Sequence, residues 1–109
     1  MARILIADSD KALLQELTQR FEGLGHCVTT AGRGAGVHND SEVYDLTIID
    51  FELDGCTGDY IAKTARRRGR TRHVVFFSKY TVYGKLGPSV VKPDVDELVR
   101  VAAALLGDH

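Results

Sequence analysis

Arg3-Ile4-Leu5-Ile6-Ala7-Asp8-Ser9-Asp10 sets an unalternating apolar run directly before three polar residues, two of them acidic. An apolar run without alternation suits a strand covered on both faces, as in a parallel sheet held between helices. Asp10 or Ser9 then stands where a helix N-cap is wanted, because Leu13, Leu14, Leu17, Phe21 and Leu24 follow at helical spacing. A strand leading at once into an amphipathic helix is one βα unit.

The same rhythm continues along the chain. Val28-Thr29-Thr30-Ala31, Leu46-Thr47-Ile48-Ile49, Val74-Val75-Phe76-Phe77 and Val90-Val91 are further short β-branched or apolar runs, which makes five strands. A helix is expected from about Gly58 to Arg68, burying Ile61, Ala62 and Ala65 and stopping at Gly69. The last helix follows Asp94, with Glu97 completing a capping-box pattern and Val95, Leu98, Val99, Ala102 and Leu105 as its apolar stripe.

Two connections are weaker. Residues 32–44 carry three glycines, each costing about 1 kcal/mol in a helix interior, so a second helix there is weak. Ser78 to Pro88 spans only 11 β-rich, glycine-broken residues, so a fourth helix is shortened or absent. The expectation is an α/β chain: a flavodoxin-like (βα)5, doubly wound, parallel five-stranded sheet forming one domain over residues 1–109. With one face thinly covered, either Phe76 or Phe77 lies near the surface with Tyr80, Val82, Tyr83 and Leu86, or the loop itself folds down over them.

Composition narrows the function classes. The chain has 109 residues, 44% hydrophobic and 27% charged, as ordinary globular domains do. Lys+Arg 14 against Asp+Glu 15 leaves a net charge of -1, so no global field favours nucleic acid or an anionic membrane. Arg66, Arg67, Arg68, Arg70 and Arg72 form a basic segment without interleaved aromatics, read as a solvated helix end. No nucleic-acid or membrane partner is expected. Apolar stretches fall far short of the roughly 20 residues of a membrane span and no signal-peptide pattern opens the chain, so a cytoplasmic location is expected. Cys27 and Cys56 are isolated and read as reduced thiols.

In an open parallel sheet the working site lies outside the carboxyl ends of the strands. There the sequence puts Asp8, Ser9 and Asp10 after the first run, Asp50 after the third, Ser78 after the fourth and Lys92-Pro93 after the fifth. Two carboxylates about 4 Å apart repel by roughly 4 kcal/mol at an effective dielectric near 20, so such a cluster holds a cation or shares a proton. Mg²⁺ suits these oxygen donors, and Lys92 would balance the charge of a phosphoryl group. Taken alone, Asp8 or Asp10 is more simply a helix cap.

In this order and spacing the segments resemble the receiver domains of two-component response regulators. The match runs over essentially the whole chain: Arg3 to Asp10, Asp45-Leu46-Thr47-Ile48-Ile49-Asp50, Gly58 eight residues on, Phe77-Ser78 and Val90-Val91-Lys92-Pro93. The resemblance implies that Asp50 is the phosphoacceptor, taking a phosphoryl group from a kinase histidine. It implies Mg²⁺ held by Asp8, Asp50 and the Glu52 backbone carbonyl, with Asp10 as a further candidate ligand. Ser78 would be the hydroxyl that swings towards the phosphoryl and Lys92 the cation that pairs with its oxygens. The implied partners are a histidine kinase or phosphotransfer protein, and a downstream protein or second copy bound through the face of the shortened fourth connection.

Four positions depart from the resembling pattern. Ser9 replaces the second acid, which weakens Mg²⁺ binding; Lys79 replaces a small residue and is a candidate gate over Asp50; Ser89 replaces the aromatic switch; Asp54 replaces a proline. Tyr80 or Tyr83 would substitute for the missing aromatic or simply pack over the loop. These departures keep open a pseudo-receiver that binds partners without phosphorylation. A more distant alternative, a haloacid-dehalogenase-type phosphatase, would use Asp8 as nucleophile and Asp10 as acid. The chain lacks that family's later acidic pair and has Ala12 where threonine or valine is usual.

Overall fold

The structure, a computed structural model, describes residues 1–33, 42–53 and 56–107. In chain order the elements are β1 (Arg3–Ala7), α1 (Lys11–Gly23), β2 (Cys27–Ala31), β3 (Tyr44–Ile49), β4 (Glu52–Leu53), β5 (Cys56–Thr57), α2 (Gly58–Arg67), β6 (Thr71–Ser78), β7 (Ser89–Val91) and α3 (Val95–Leu106). Five strands form one parallel sheet in the order β2-β1-β3-β6-β7. This is the flavodoxin-like, doubly wound sheet that the sequence predicts. The weak second helix expected over 32–44, and Asp54, lie largely or wholly outside the described residues. No helix among the described residues is long and apolar enough to cross a membrane.

Strand side chains alternate between faces, and here both faces are apolar. Ile4, Ile6, Leu46, Ile48, Val75, Phe77 and Val90 meet Leu17 and Phe21 of α1 and Leu98 and Ala102 of α3. Leu5, Ala7, Ile49, Val74 and Phe76 meet Ile61 and Ala62 of α2 on the other side. Among the described residues, two helices cover one face and one covers the other.

The β6–β7 loop adds cover to the second face. Among the described residues 79–88 there is no helix, as expected of so short a connection. Val82 and Leu86 instead pack on the second cluster. The loop is clipped in place: the Val82 amide donates to Ser89 Oγ (2.9 Å) and Arg66 Nη1 donates to the Leu86 carbonyl (2.7 Å). The Phe76 amide donates to the Pro88 carbonyl (3.0 Å). Of the two arrangements left open by the sequence, the folded-down loop is the observed one. Phe76 and Phe77 are each only 1% exposed, which corrects the expectation that either lies near the surface. Neighbours on a strand face opposite ways, so Phe77 sits under the two-helix face while Val82 and Leu86 pack in Phe76's cluster. Tyr83, by contrast, is 90% exposed and packs over nothing.

The helix starts follow capping chemistry. Asp10 Oδ1 accepts from the amides of Ala12 (3.0 Å) and Leu13 (3.2 Å), and Asp94 Oδ1 accepts from the Glu97 amide (3.0 Å). The Asp94 amide bonds the Val91 carbonyl and Glu97 turns to Arg100, so the capping box forms in one half only. Asp10→Ala should cost about 1 kcal/mol, read as a lower urea midpoint with an unchanged slope.

Candidate functional site

The sheet ladder continues one residue beyond three of its strands. The Asp8 amide bonds the Ala31 carbonyl (3.0 Å), that of Asp50 bonds Ala7 (3.0 Å) and that of Lys92 bonds Ser78 (2.7 Å). These bonds fix where the three side chains leave the backbone, and all leave from the same rim. Ser78 is the last residue of β6 and joins them.

Lys92 Nζ lies 2.7 Å from Asp8 Oδ2 and 3.0 Å from Asp50 Oδ2, bridging two carboxylates that would otherwise repel. Burial would lower the Lys92 pKa, but the hydrogen bonds and charges of Asp8 and Asp50 outweigh it, and the net shift is upward from 10.5. Ser78 Oγ donates to Asp50 Oδ1 (3.0 Å) and accepts from the Phe51 amide (2.8 Å). The Glu52 amide also donates to Asp50 Oδ1, at 3.3 Å. Asp8 is enclosed, with 3% of its surface exposed, whereas the Asp50 side chain keeps 15%. Asp50 opens into a cavity of about 300 Å³ that Asp8, Ser9, Glu52, Lys79, Tyr80 and Lys92 also line. The rim thus combines a reachable carboxylate, a buried hydroxyl, a second carboxylate and an ammonium.

Gly58 explains its own spacing. A Cβ there would lie 2.2 Å from the Asp50 carbonyl oxygen, so α2 begins against the Asp50 peptide where only glycine fits. The Gly58 amide bonds the Phe51 carbonyl, tying the helix start to the residue after Asp50.

The other candidates separate. Lys79 is exposed and lines the cavity. Asp10 also lines it, and its Oδ1 caps α1 by accepting from two amides of the first turn. Among the described residues no group of three or more His, Cys, Asp and Glu is arranged to hold a metal. Asp8 and Asp50 are the two carboxylates that meet at Lys92 on the cavity wall, and they form the donor pair there. It suits Mg²⁺, which needs only one or two carboxylates and takes its remaining oxygens from water and phosphate.

Two features escape the sequence reading. The Tyr80 hydroxyl donates to the Glu52 carboxylate across the cavity, and the Tyr80 ring meets Phe51 edge-on at 6.4 Å. The Glu52 hydrogen bond raises the Tyr80 pKa above its usual 10.0. The antiparallel β4–β5 ribbon was also missed, although Asp54-Gly55 between two short runs is a recognised hairpin signal.

No family model and no curated protein matches this chain. Solved structures do. The response regulator TrrA from Thermotoga maritima, solved in complex with Mg²⁺ and BeF, is 26% identical with a TM-score of 0.84, covering 96% of this chain and 99% of its own. The Francisella response regulator 1452 receiver domain is 22% identical, with a TM-score of 0.83 and 98% of each chain covered. A CheY-like receiver domain from Methylobacillus flagellatus is 22% identical, with a TM-score of 0.84 over 96% of this chain and 98% of its own. The sheet order, the helices on its two faces and these likenesses agree: the chain has the receiver-domain fold of response regulators.

Proposed function

We propose that this chain is a phosphoacceptor receiver of a two-component phosphorelay, working in the cytoplasm. Asp50 takes a phosphoryl group from the phosphohistidine of a kinase or phosphotransfer protein, and the modified domain changes its affinity for a downstream protein. The observation that carries this reading is the Asp50 carboxylate, open to a phosphoryl-sized cavity and gripped by Lys92 on one oxygen and Ser78 on the other.

In the transfer, an Asp50 oxygen bonds to phosphorus as the phosphorus–nitrogen bond breaks, and the imidazole leaves with the electron pair and gains a proton. Such a transfer depends on positioning and charge neutralisation more than on covalent help. Lys92, already within reach of both carboxylates, can follow the charge from Asp50 onto the phosphoryl oxygens. Mg²⁺, when bound through Asp8, Asp50 and the Glu52 carbonyl, would supply the remaining neutralisation. Ser78 exchanges Asp50 for a phosphoryl oxygen, which releases the Phe51 amide and pulls on Lys79 and Tyr80 behind it. The output face is that of the β6–β7 loop.

A second reading, a pseudo-receiver that binds without phosphorylation, draws on Ser9 and on the Tyr80–Glu52 bond across the cavity. The phosphatase reading has less support, because Asp8, which would be its nucleophile, is enclosed. Incubation with acetyl phosphate and Mg²⁺, followed by intact mass measurement, should add one phosphoryl group to the wild type and none to Asp50→Asn. No incorporation by the wild type would favour the pseudo-receiver, and turnover dependent on Asp8 alone would favour the phosphatase.

A further inference from the structure

We propose that the groove between α2 and the β6–β7 loop is a docking site for an acidic amphipathic helix of a partner protein. This deepens the partner-binding half of the function above by naming the surface and the partner's chemistry, and it does not require Asp50 to be phosphorylated.

The groove has a volume of about 610 Å³. Its floor is apolar, built from Val82 and Leu86 with the buried Phe76 beneath them. Its two rims carry large aromatics on different elements: Tyr60 of α2, 57% exposed, and Tyr83 of the loop, 90% exposed. Exposed tyrosines flanking an apolar floor have the composition of an interface centre rather than of ordinary surface. The groove exists because the connection has no helix. A loop pressed onto β6 leaves open the space beside α2 that a helix would fill.

Charge selects the occupant. Among the described residues, Lys63 and Lys85 line the groove against Asp59 as the one lining acid, and the last turn of α2 adds exposed Arg66 and Arg67. The whole chain carries a net charge of -1, so this concentration of positive charge is local. Ten residues of α2 make a wall about 15 Å long, enough for nearly three turns of a docked helix. A helix with apolar residues at i, i+3, i+4 and i+7 would seat them on the floor, and flanking glutamates would face the lysines. A second copy is the poorer occupant: α1 and α3 both commit their apolar stripes to this chain's own core.

The probe is a synthetic helical peptide with leucines at those positions and glutamates beside them, together with a twin bearing lysines for glutamates. Titrated into ¹⁵N-labelled chain, the glutamate peptide should shift the amides of Tyr60, Lys63, Val82, Tyr83, Lys85 and Leu86. Its affinity should fall about tenfold or more in the exposed double variant Lys63→Glu/Lys85→Glu, a loss of about 1.4 kcal/mol or more. The titration uses unphosphorylated wild-type chain with no phosphodonor present, so failure of phosphorylation and failure of docking are read separately. Equal binding of the lysine peptide, shifts elsewhere, or no binding would overturn the proposal. So would self-association of the chain abolished by Tyr83→Glu, which would assign the groove to a second copy.

Discussion

Lys92→Met should lower the stability of the fold by about 3 kcal/mol at neutral pH, measured by urea unfolding. The ammonium bridges Asp8 and Asp50 at 2.7 and 3.0 Å, and removing one partner of an enclosed ion pair leaves uncompensated charge, which costs about 3–5 kcal/mol. The lower end applies because the Asp50 side chain keeps some solvent contact. The pH dependence separates this from a packing loss. Lys92 has a folded pKa raised above 10.5, so its contribution is fully present below pH 10.5 and is lost as pH rises through the folded value. The wild type should therefore lose stability above that point and Lys92→Met should not share that loss. The variant's deficit should also shrink on adding Mg²⁺, which can take the ammonium's place between the oxygens. A deficit indifferent to pH and Mg²⁺ would mean that the side chain acts only through its packing.

Gly87→Ala should be comparably damaging. A Cβ at Gly87 would lie 1.8 Å from the Val74 carbonyl oxygen and 2.8 Å from its carbon. That neighbour is backbone, held by β3 at Thr47 in a strand that β7 joins from Phe76 on, so the loop lifts more readily than β6 yields. Lifting breaks the Phe76–Pro88 and Arg66–Leu86 hydrogen bonds and strips Val82 and Leu86 from Phe76's side of the sheet. Overpacking costs about 1–3 kcal/mol, and the lost cover puts this substitution at or above the top of that range. Faster amide exchange at Phe76 and Val82 should accompany the fall in stability; wild-type unfolding and exchange would mean the loop has slack.

The residues of the rim were legible because each follows an apolar run, and topology alone brings Asp8, Asp50, Ser78 and Lys92 together once the runs are parallel strands. The absent fourth helix was legible from chain length. What the loop does instead was not, since the descent onto Phe76 depends on a glycine meeting a carbonyl 13 residues earlier in the chain. Tyr80 and Glu52 are 28 residues apart and meet only through that loop path. Asp10 illustrates a different limit: cap and metal ligand make the same demand on sequence, and the two amide bonds show the cap. The two-residue strands β4 and β5 are too short for periodicity to register.

The clips on the β6–β7 connection bear on how a disturbance at the rim would travel. Only residues 79–81 separate Ser78 from the Val82 amide held by Ser89. A cord that short has almost no give. A displacement of Ser78 would therefore be felt at Ser89 on the neighbouring strand after only three intervening residues.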